Sequence, residues 1–249
     1  MTRECNICLT VQYDGSAFHG WQRQKGQTSV QEALERGVAK LSGENCTVHG
    51  AGRTDAGVHA LGMQANFIVR TAIPLDRWCI ALNSILPAAV RVYAAREVTL
   101  DWHARFTPHW KHYRYTIERG EFPSPLRRNY CWQRYGHLDP SLLHQAASLV
   151  VGSHDFRAFC ASGSKVKEFT RTIRSSVWSE EGPLLHYDIV GNGFLYNMVR
   201  LLVGGMTDIA CEKWSLEGME KALREGKREG TLFCAPPQGL YLMEIFYSQ

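Results

Sequence analysis

The sequence predicts an α+β fold made of two halves, each built on a mostly antiparallel sheet. Three observations predict it. Apolar residues switch repeatedly between period two and a helical period along the 249 residues. That length provides for one large domain or two small ones, with material for a sizeable core. The first hundred residues read strand, helix, strand, strand, helix, strand, the split βαβ order of ferredoxin-like and RRM-like units. The second half repeats a similar order more loosely, without the internal identity that marks a sequence repeat.

Each element has a local reason. Residues 5–13 alternate as a strand. Ser29-Val30-Gln31-Glu32 is a capping box, in which hydroxyl and carboxylate each satisfy a free N–H at a helix start. It opens a helix with Val30, Ala33, Leu34, Val38 and Leu41 on one face, closed near Gly43. Residues 46–50 and 61–69 are β-rich, and the stretch GAGRTDAGVHALG (50–62) joins them. Residues 75–86 form a second helix, stopped by Pro87, which has no N–H to continue it. Residues 90–98 form another strand. Beyond it, 111–119, 170–179, 184–190 and 239–247 read as strands. Residues 140–151, 196–211 and 215–226 read as helices. The division is expected between 103 and 104. The 1–103 half then carries the 50–62 segment, and 104–249 forms the other half. No low-complexity linker separates them, so the halves are expected to pack side by side.

Composition narrows the function classes. At 45% apolar and 21% charged, the chain reads as an ordinary soluble globular protein. Its first fifteen residues lack a basic stretch followed by an apolar one, so no secretory signal is expected. No apolar run approaches the roughly 18 residues of a membrane span. Eight cysteines are scattered, and only Cys5 and Cys8 lie close together. A lone C-x-x-C supplies half the ligands of a closed zinc site, so these read as buried thiols and no metal is expected. Scattered thiols without a secretory signal suit a reducing, cytoplasmic location. The chain lacks G-x-x-x-x-G-K-[ST], H-E-x-x-H and G-x-S-x-G. His154-Asp155 reads as structural, because strand neighbours point to opposite faces.

The formal net charge of +4 is concentrated. Residues 101–135 hold seven Arg or Lys against three acids, together with nine aromatics. Basic residues interleaved with aromatics suit a surface for phosphates and bases. A strand pair with a buried aromatic face and a solvated basic face gives the same pattern, and the two readings are compatible.

Within 50–62, Gly52 and Gly57 bracket Arg53-Thr54-Asp55. If the stretch is extended, Arg53 and Asp55 point the same way. A guanidinium there would hold Asp55 ionised, and an oriented carboxylate is a competent nucleophile. A turn in which Asp55 merely accepts backbone N–H groups is the other reading. No second acid is fixed nearby, which speaks against a two-carboxylate glycosidase.

Here a resemblance enters. Residues 51–60, AGRTDAGVHA, resemble the active-site motif of the tRNA pseudouridine synthase A family. Tyr13-Asp14-Gly15-Ser16 with Gly20-Trp21-Gln22-Arg23-Gln24 resembles its N-terminal motif. His103-Ala104-Arg105-Phe106, followed by Tyr113-Arg114-Tyr115, resembles its central one. His154-Asp155-Phe156, Arg171-Thr172-Ile173, Gly193-Phe194 and Asn197-Met198-Val199-Arg200 resemble later blocks. Ala235-Pro236 and Gly239-Leu240-Tyr241-Leu242 resemble the closing strand. The blocks keep family order over nearly the whole chain.

The resemblance implies the pseudouridine synthase fold, two α+β halves around a basic cleft, in a homodimer that binds tRNA. It implies isomerisation of uridine at tRNA positions 38, 39 and 40 in the anticodon stem-loop, without cofactor or metal. Asp55 matches the catalytic aspartate, with Arg53 and Arg200 in support. Tyr113 matches a tyrosine that stacks on the target base, and Leu240 an apolar wall. Arg23, Arg105, Lys111 and Arg114 are the expected RNA-binding surface. Asp14 and His59 read as loop-bracing groups. The rivals are a non-catalytic RNA-binding protein with two RRM-like halves, and a hydrolase using Asp55.

Overall fold

The computed structural model describes residues 2–163, 166–228, 230 and 232–247. The chain divides into two compact units, residues 1–109 with 241–249, and residues 110–240.

The first unit begins with β1 (Arg3–Tyr13). Its alternation buries Cys5, Ile7, Leu9, Val11 and Tyr13 on one face. Helix α1 (Val30–Ser42) packs Val30, Leu34 and Val38 into the core. Of the capping box, the hydroxyl half forms: Ser29 Oγ accepts the Glu32 N–H at 3.3 Å, while the Glu32 carboxylate accepts from Arg36 at 2.7 Å, and Gly43 closes the helix at φ 76°. The β-rich stretch 46–50 contributes only a two-residue strand, β2 (His49–Gly50). The Val48 main chain is instead held by side chains of α1. Gln31 Nε2 donates to its carbonyl and Glu35 Oε1 accepts its N–H, each at 3.2 Å. Long strand β3 (His59–Thr71) runs antiparallel to β1, with Phe67 opposite Ile7.

The expected 75–86 helix is shorter. A 3-10 turn at 75–77 leads into α2 (Trp78–Asn83). The Asn83 amide pairs with both main-chain groups of Val92 at 2.8 Å, which turns the helix end onto β4 (Val90–Val98). Strand β4 lines the other edge of β1. The last strand of the chain, β10 (Leu240–Tyr247), runs parallel to the start of β3, with Tyr241 opposite His59. Residues 241–249 therefore fall within the first unit.

The second unit contains β5 (His109–Arg119), β6 (Trp132–Arg134), α3 (Pro140–Leu149), β7 (Gly152–Asp155), β8 (Thr170–Glu181), β9 (Leu184–Gly191), α4 (Met198–Ile209) and α5 (Leu216–Glu225). The strands lie in the order β5, β9, β8, β7, all antiparallel, with β6 added parallel to the end of β5. Clean alternation in β9 buries Leu185, Tyr187 and Ile189. Trp178 of β8 donates its indole N–H to Met206 of α4 at 3.4 Å, joining sheet to helix. His154 and Asp155 of β7 make local backbone contacts, Asp155 accepting the Arg157 N–H at 2.9 Å. The mixed α+β architecture with mostly antiparallel sheets agrees with the fold class read from the sequence.

One buried carboxylate organises the 120–134 segment. Glu118, 2% exposed, accepts from Ser124 N–H, from the Arg127 guanidinium and from the Gln133 amide. Burial alone would raise its pKa. Those donors outweigh burial and hold it at about 2, from an ordinary 4.5. The contribution is therefore complete above pH 4.5 and is lost as pH falls toward 2. Glu118→Gln should cost about 2 kcal/mol at neutral pH, because it weakens charge-assisted bonds inside the protein. Urea denaturation near pH 7 and near pH 3 checks this. The gap from wild type should shrink by more than half at the lower pH, and an unchanged gap would refute the assignment.

Candidate active site

The 51–58 segment is a turn pinned at both ends. Before it, the Ala51 N–H donates to Gln64 O at 2.8 Å, extending the β2–β3 pairing by one residue. Thr54 is buried. Its carbonyl accepts the Trp21 N–H at 3.0 Å, and its hydroxyl meets the Tyr13 hydroxyl at 2.7 Å. The turn then closes with the Val58 N–H donating to Asp55 O at 3.1 Å, with Gly57 at φ 79°. Val58 is again buried, and His59 enters β3. Asp55, half-buried, is thus presented between two locked neighbours.

The N-terminal motif makes the cradle. Backbone 14–21 runs so close beneath the turn that it leaves no room for a Cβ. A Cβ on Gly15 would lie 2.1 Å from Val58 O, and one on Gly20 would lie 2.6 Å from Thr54 O. Gly20 also sits at φ 91°, which side-chain-bearing residues rarely adopt. His59 Nδ1 accepts the Gly15 N–H at 3.0 Å and lies 3.2 Å from the Asp14 carboxylate. The His59 ring stacks on Tyr241 at 4.8 Å. Asp14 in turn accepts the Ser16 N–H at 2.9 Å. These two residues brace the loop.

Arg53 is exposed. Residues 53–55 lie in neither strand nor helix and lead into the turn at 56–57, so the extended stretch that the period-two argument assumes is not formed. The Tyr13–Thr54 bond is not visible in the sequence, since it spans 41 positions. The glycines at 15 and 20 were the available signal, as two residues without side chains facing a loop.

The second unit carries the other candidates. Tyr113 lies on the buried face of β5 with Tyr115 and Ile117, edge-on to Phe194 at 5.1 Å. Arg200 sits half-buried in the first turn of α4. Its Nε donates to Ala235 O at 2.7 Å and its Nη1 to Asn197 Oδ1 at 2.9 Å, while the Ala235 N–H donates back to Arg200 O. Leu240 is buried at the start of β10.

The basic residues differ in how they are held. Lys111 is half-buried near the start of β5. Arg114 makes a two-pronged contact with Asp188, Nε to Oδ1 at 2.9 Å and Nη2 to Oδ2 at 3.0 Å, and His112 reaches the same carboxylate. Burial opposes ionisation of Asp188, but His112 and Arg114 outweigh it and lower its pKa. In the first unit, Arg23 donates to the buried Glu35 at 3.0 Å, and exposed Arg105 lies over the Phe106 ring at 5.9 Å. Among the described residues, no group of three or more His, Cys, Asp or Glu is placed to hold a metal ion. Cys5 and Cys8 are buried free thiols, and burial pushes Cys8 to about 11.

A family model described as tRNA pseudouridine synthase matches residues 9–107 and 146–248, including the cradle, the turn and Arg200. The chain belongs to the tRNA pseudouridine synthase family. This is a family of isomerases. The chain is 44% identical over 245 residues to tRNA pseudouridine synthase A of Citrifermentans bemidjiense, covering 98% of each. It is 41% identical over 242 residues to the protein of that name from Acetivibrio thermocellus, covering 97% of this chain and 99% of the relative. The Rippkaea orientalis protein of the same name is 41% identical over 244 residues, 98% of this chain and 83% of its own. The family model leaves 108–145 unmatched, the stretch that holds Tyr113.

The cradle yields a test. Gly15→Ala forces the 57–58 backbone away from residue 15 without touching Asp55. A displacement on the order of 1 Å at a reacting group costs about 100-fold in rate. Turnover of tRNA should fall by about that factor while the far-ultraviolet circular dichroism spectrum is kept. Wild-type turnover by Gly15→Ala would show that the close approach does not position the turn.

Proposed function

We propose that this protein isomerises uridine to pseudouridine at positions 38, 39 and 40 of the tRNA anticodon stem-loop, with the Asp55 carboxylate as the catalytic group. One observation carries the reading. Asp55 stands on a turn fixed on both flanks, within the residues matched by the tRNA pseudouridine synthase model.

A uridine in a stem is stacked, so it must be extruded, at roughly a few kcal/mol. Arg53, exposed on the turn, is suited to fill the vacated space or to hold a phosphate. The Tyr113 ring is assigned to stack on the target base, and Leu240 to an apolar wall beside it. Arg200, oriented by Ala235 and Asn197, supplies positive charge to the reaction. Asp55 acts in one of three ways: adding to the uracil ring, attacking C1′, or removing a sugar proton. Each starts from the ionised carboxylate. The N1–C1′ bond breaks, the ring turns, a C5–C1′ bond forms, the C5 hydrogen leaves as a proton, and N1 takes up a proton. Atoms and electrons balance without an oxidant or reductant, so no cofactor is proposed. Arg23, Arg105, Lys111 and Arg114 are assigned to the RNA-binding surface. A homodimer is proposed on the family resemblance. A cytoplasmic location fits scattered cysteines such as Cys5, Cys8 and Cys131, which are buried thiols.

Tritium at uracil C5 reports the reaction directly. Wild type should release it from transcripts bearing a uridine at 38, 39 or 40. Asp55→Asn should release none while still binding tRNA. Release by Asp55→Asn at the wild-type rate would sink the catalytic assignment. Binding by wild type without any release would favour the non-catalytic RNA-binding rival. Affinity should also fall steeply and linearly on a log–log plot against salt, as phosphate contacts displace counterions.

A further inference from the structure

At the root of the Asp55 loop lies a group of rings that the reaction above does not use. His49, the first residue of β2, has its ring centroid 4.6 Å from that of His103. His103 in turn lies 4.4 Å from Phe106. The rings step at tilts of 42° and 38°. The Arg105 guanidinium lies over Phe106. Both ends of the row, His49 and Phe106, are exposed, and Phe106 is 74% exposed.

The row is held by buried amides. Asn66 of β3, opposite His49 in the β2–β3 register, accepts the Ala104 N–H at 2.9 Å. Its own amide donates to Asn6 Oδ1 at 2.9 Å. Asn6, fully buried, donates to the carbonyls of Thr99 and Trp102 at 2.8 Å. The Tyr247 hydroxyl donates to Ala104 O at 2.7 Å. One residue, Asn66, therefore keys both the β2 end and the 103–107 turn. None of these bonds needs the Phe106 ring, so its exposure has no structural cause among them. The Arg105 N–H donates to His103 Nδ1 at 3.0 Å. Burial, with His49 and Arg105 adding to it, lowers the His103 pKa, so the middle ring is neutral at neutral pH.

We propose that the His49–His103–Phe106 row, with Arg105 at its edge, is a preformed stacking platform for an unpaired base of the RNA strand that carries the target uridine. The inference rests on the tRNA-modifying reading and adds a binding subsite to it. Rigid aromatic faces beside a guanidinium fit single-stranded RNA, whose splayed bases stack on aromatic rings and whose phosphates meet the cation. Besides aromatic rings, the cluster has one cation and no acid, which speaks against a basic partner. Rigid support lets the rings act without an ordering cost at binding.

The test uses the whole protein and an anticodon stem-loop RNA carrying 2-aminopurine at single unpaired loop positions. Binding to wild type should quench the fluorophore at one position. Phe106→Ala should remove that quench and raise KM in the tritium assay by about tenfold, the effect of losing one base–aromatic stack, with kcat changed far less. Phe106→Trp should restore both. His49→Ala should act in the same direction and keep the wild-type melting temperature. If wild type turns over and Phe106→Ala shows unchanged KM and unchanged quenching, the platform is refuted and the catalytic reading stands. If wild type releases no tritium, the catalytic reading falls, and the quench still decides whether the rings bind RNA.

Discussion

The approach of one backbone to another, with no side chain between, is the constraint on which the first unit depends. Residues 14–21 pass under 54–58 at distances that only glycine at positions 15 and 20 allows. What they gain is a set of bonds between main-chain groups and short side chains. Trp21 N–H to Thr54 O and Gly15 N–H to His59 are not subject to rotamer exchange of long chains. A carboxylate on a loop needs this kind of support, because loops are otherwise the mobile part of a fold. Asp55 has it on both sides.

The same strap completes a helix. The carbonyls of Gly20 and Trp21 accept the N–H groups of Val30 and Gln31, and Ser29 accepts that of Glu32. The free donors at the start of α1 are thus consumed inside the protein. That helix end is not an anion site. One turn further on, Gln31 and Glu35 hold both main-chain groups of Val48, just before β2. The chain entering the Asp55 loop and the strap beneath it are therefore fixed to one helix. Glu35 also holds Arg23 through its second oxygen, so that guanidinium has a set direction.

These links explain what was legible in the sequence. Signals carried by near neighbours read correctly: the Ser29 cap and Gly43 stop of α1, the bounds of β4, and the alternation of β9. Strand 46–50 was overread because its composition suits β structure, while its main chain bonds to the side chains of Gln31 and Glu35. The expected 75–86 helix divides into a 3-10 turn at 75–77, α2, and a closing turn in which the Leu86 N–H still donates to Leu82 O at 2.9 Å. At the candidate site, a turn at Asp55 was legible through its glycines. Its geometry was not, because Tyr13–Thr54 and Gly15–His59 join positions far apart that no periodicity connects.

Charge in the 101–135 window shows the limit of counting. Its formal excess is +4. Alternation along β5 puts Tyr113, Tyr115 and Ile117 on the buried side and His112 and Arg114 on the other, where Asp188 lies. Arg119 pairs with Glu180, and Arg127 with Glu118. Asp188 and Glu180 are outside the window, so including these two acids reduces the excess from +4 to +2. A half-buried, two-pronged pair such as Arg114–Asp188 costs energy to break, so the direction of the Arg114 guanidinium is set by Asp188. Cations held by neutral groups contrast with these pairs. Arg105 on its ring and Arg128 on the Pro125 carbonyl are two of these. Of the two, Arg105 adjoins rings that can take a base. There, one short turn offers both halves of what a single RNA strand presents.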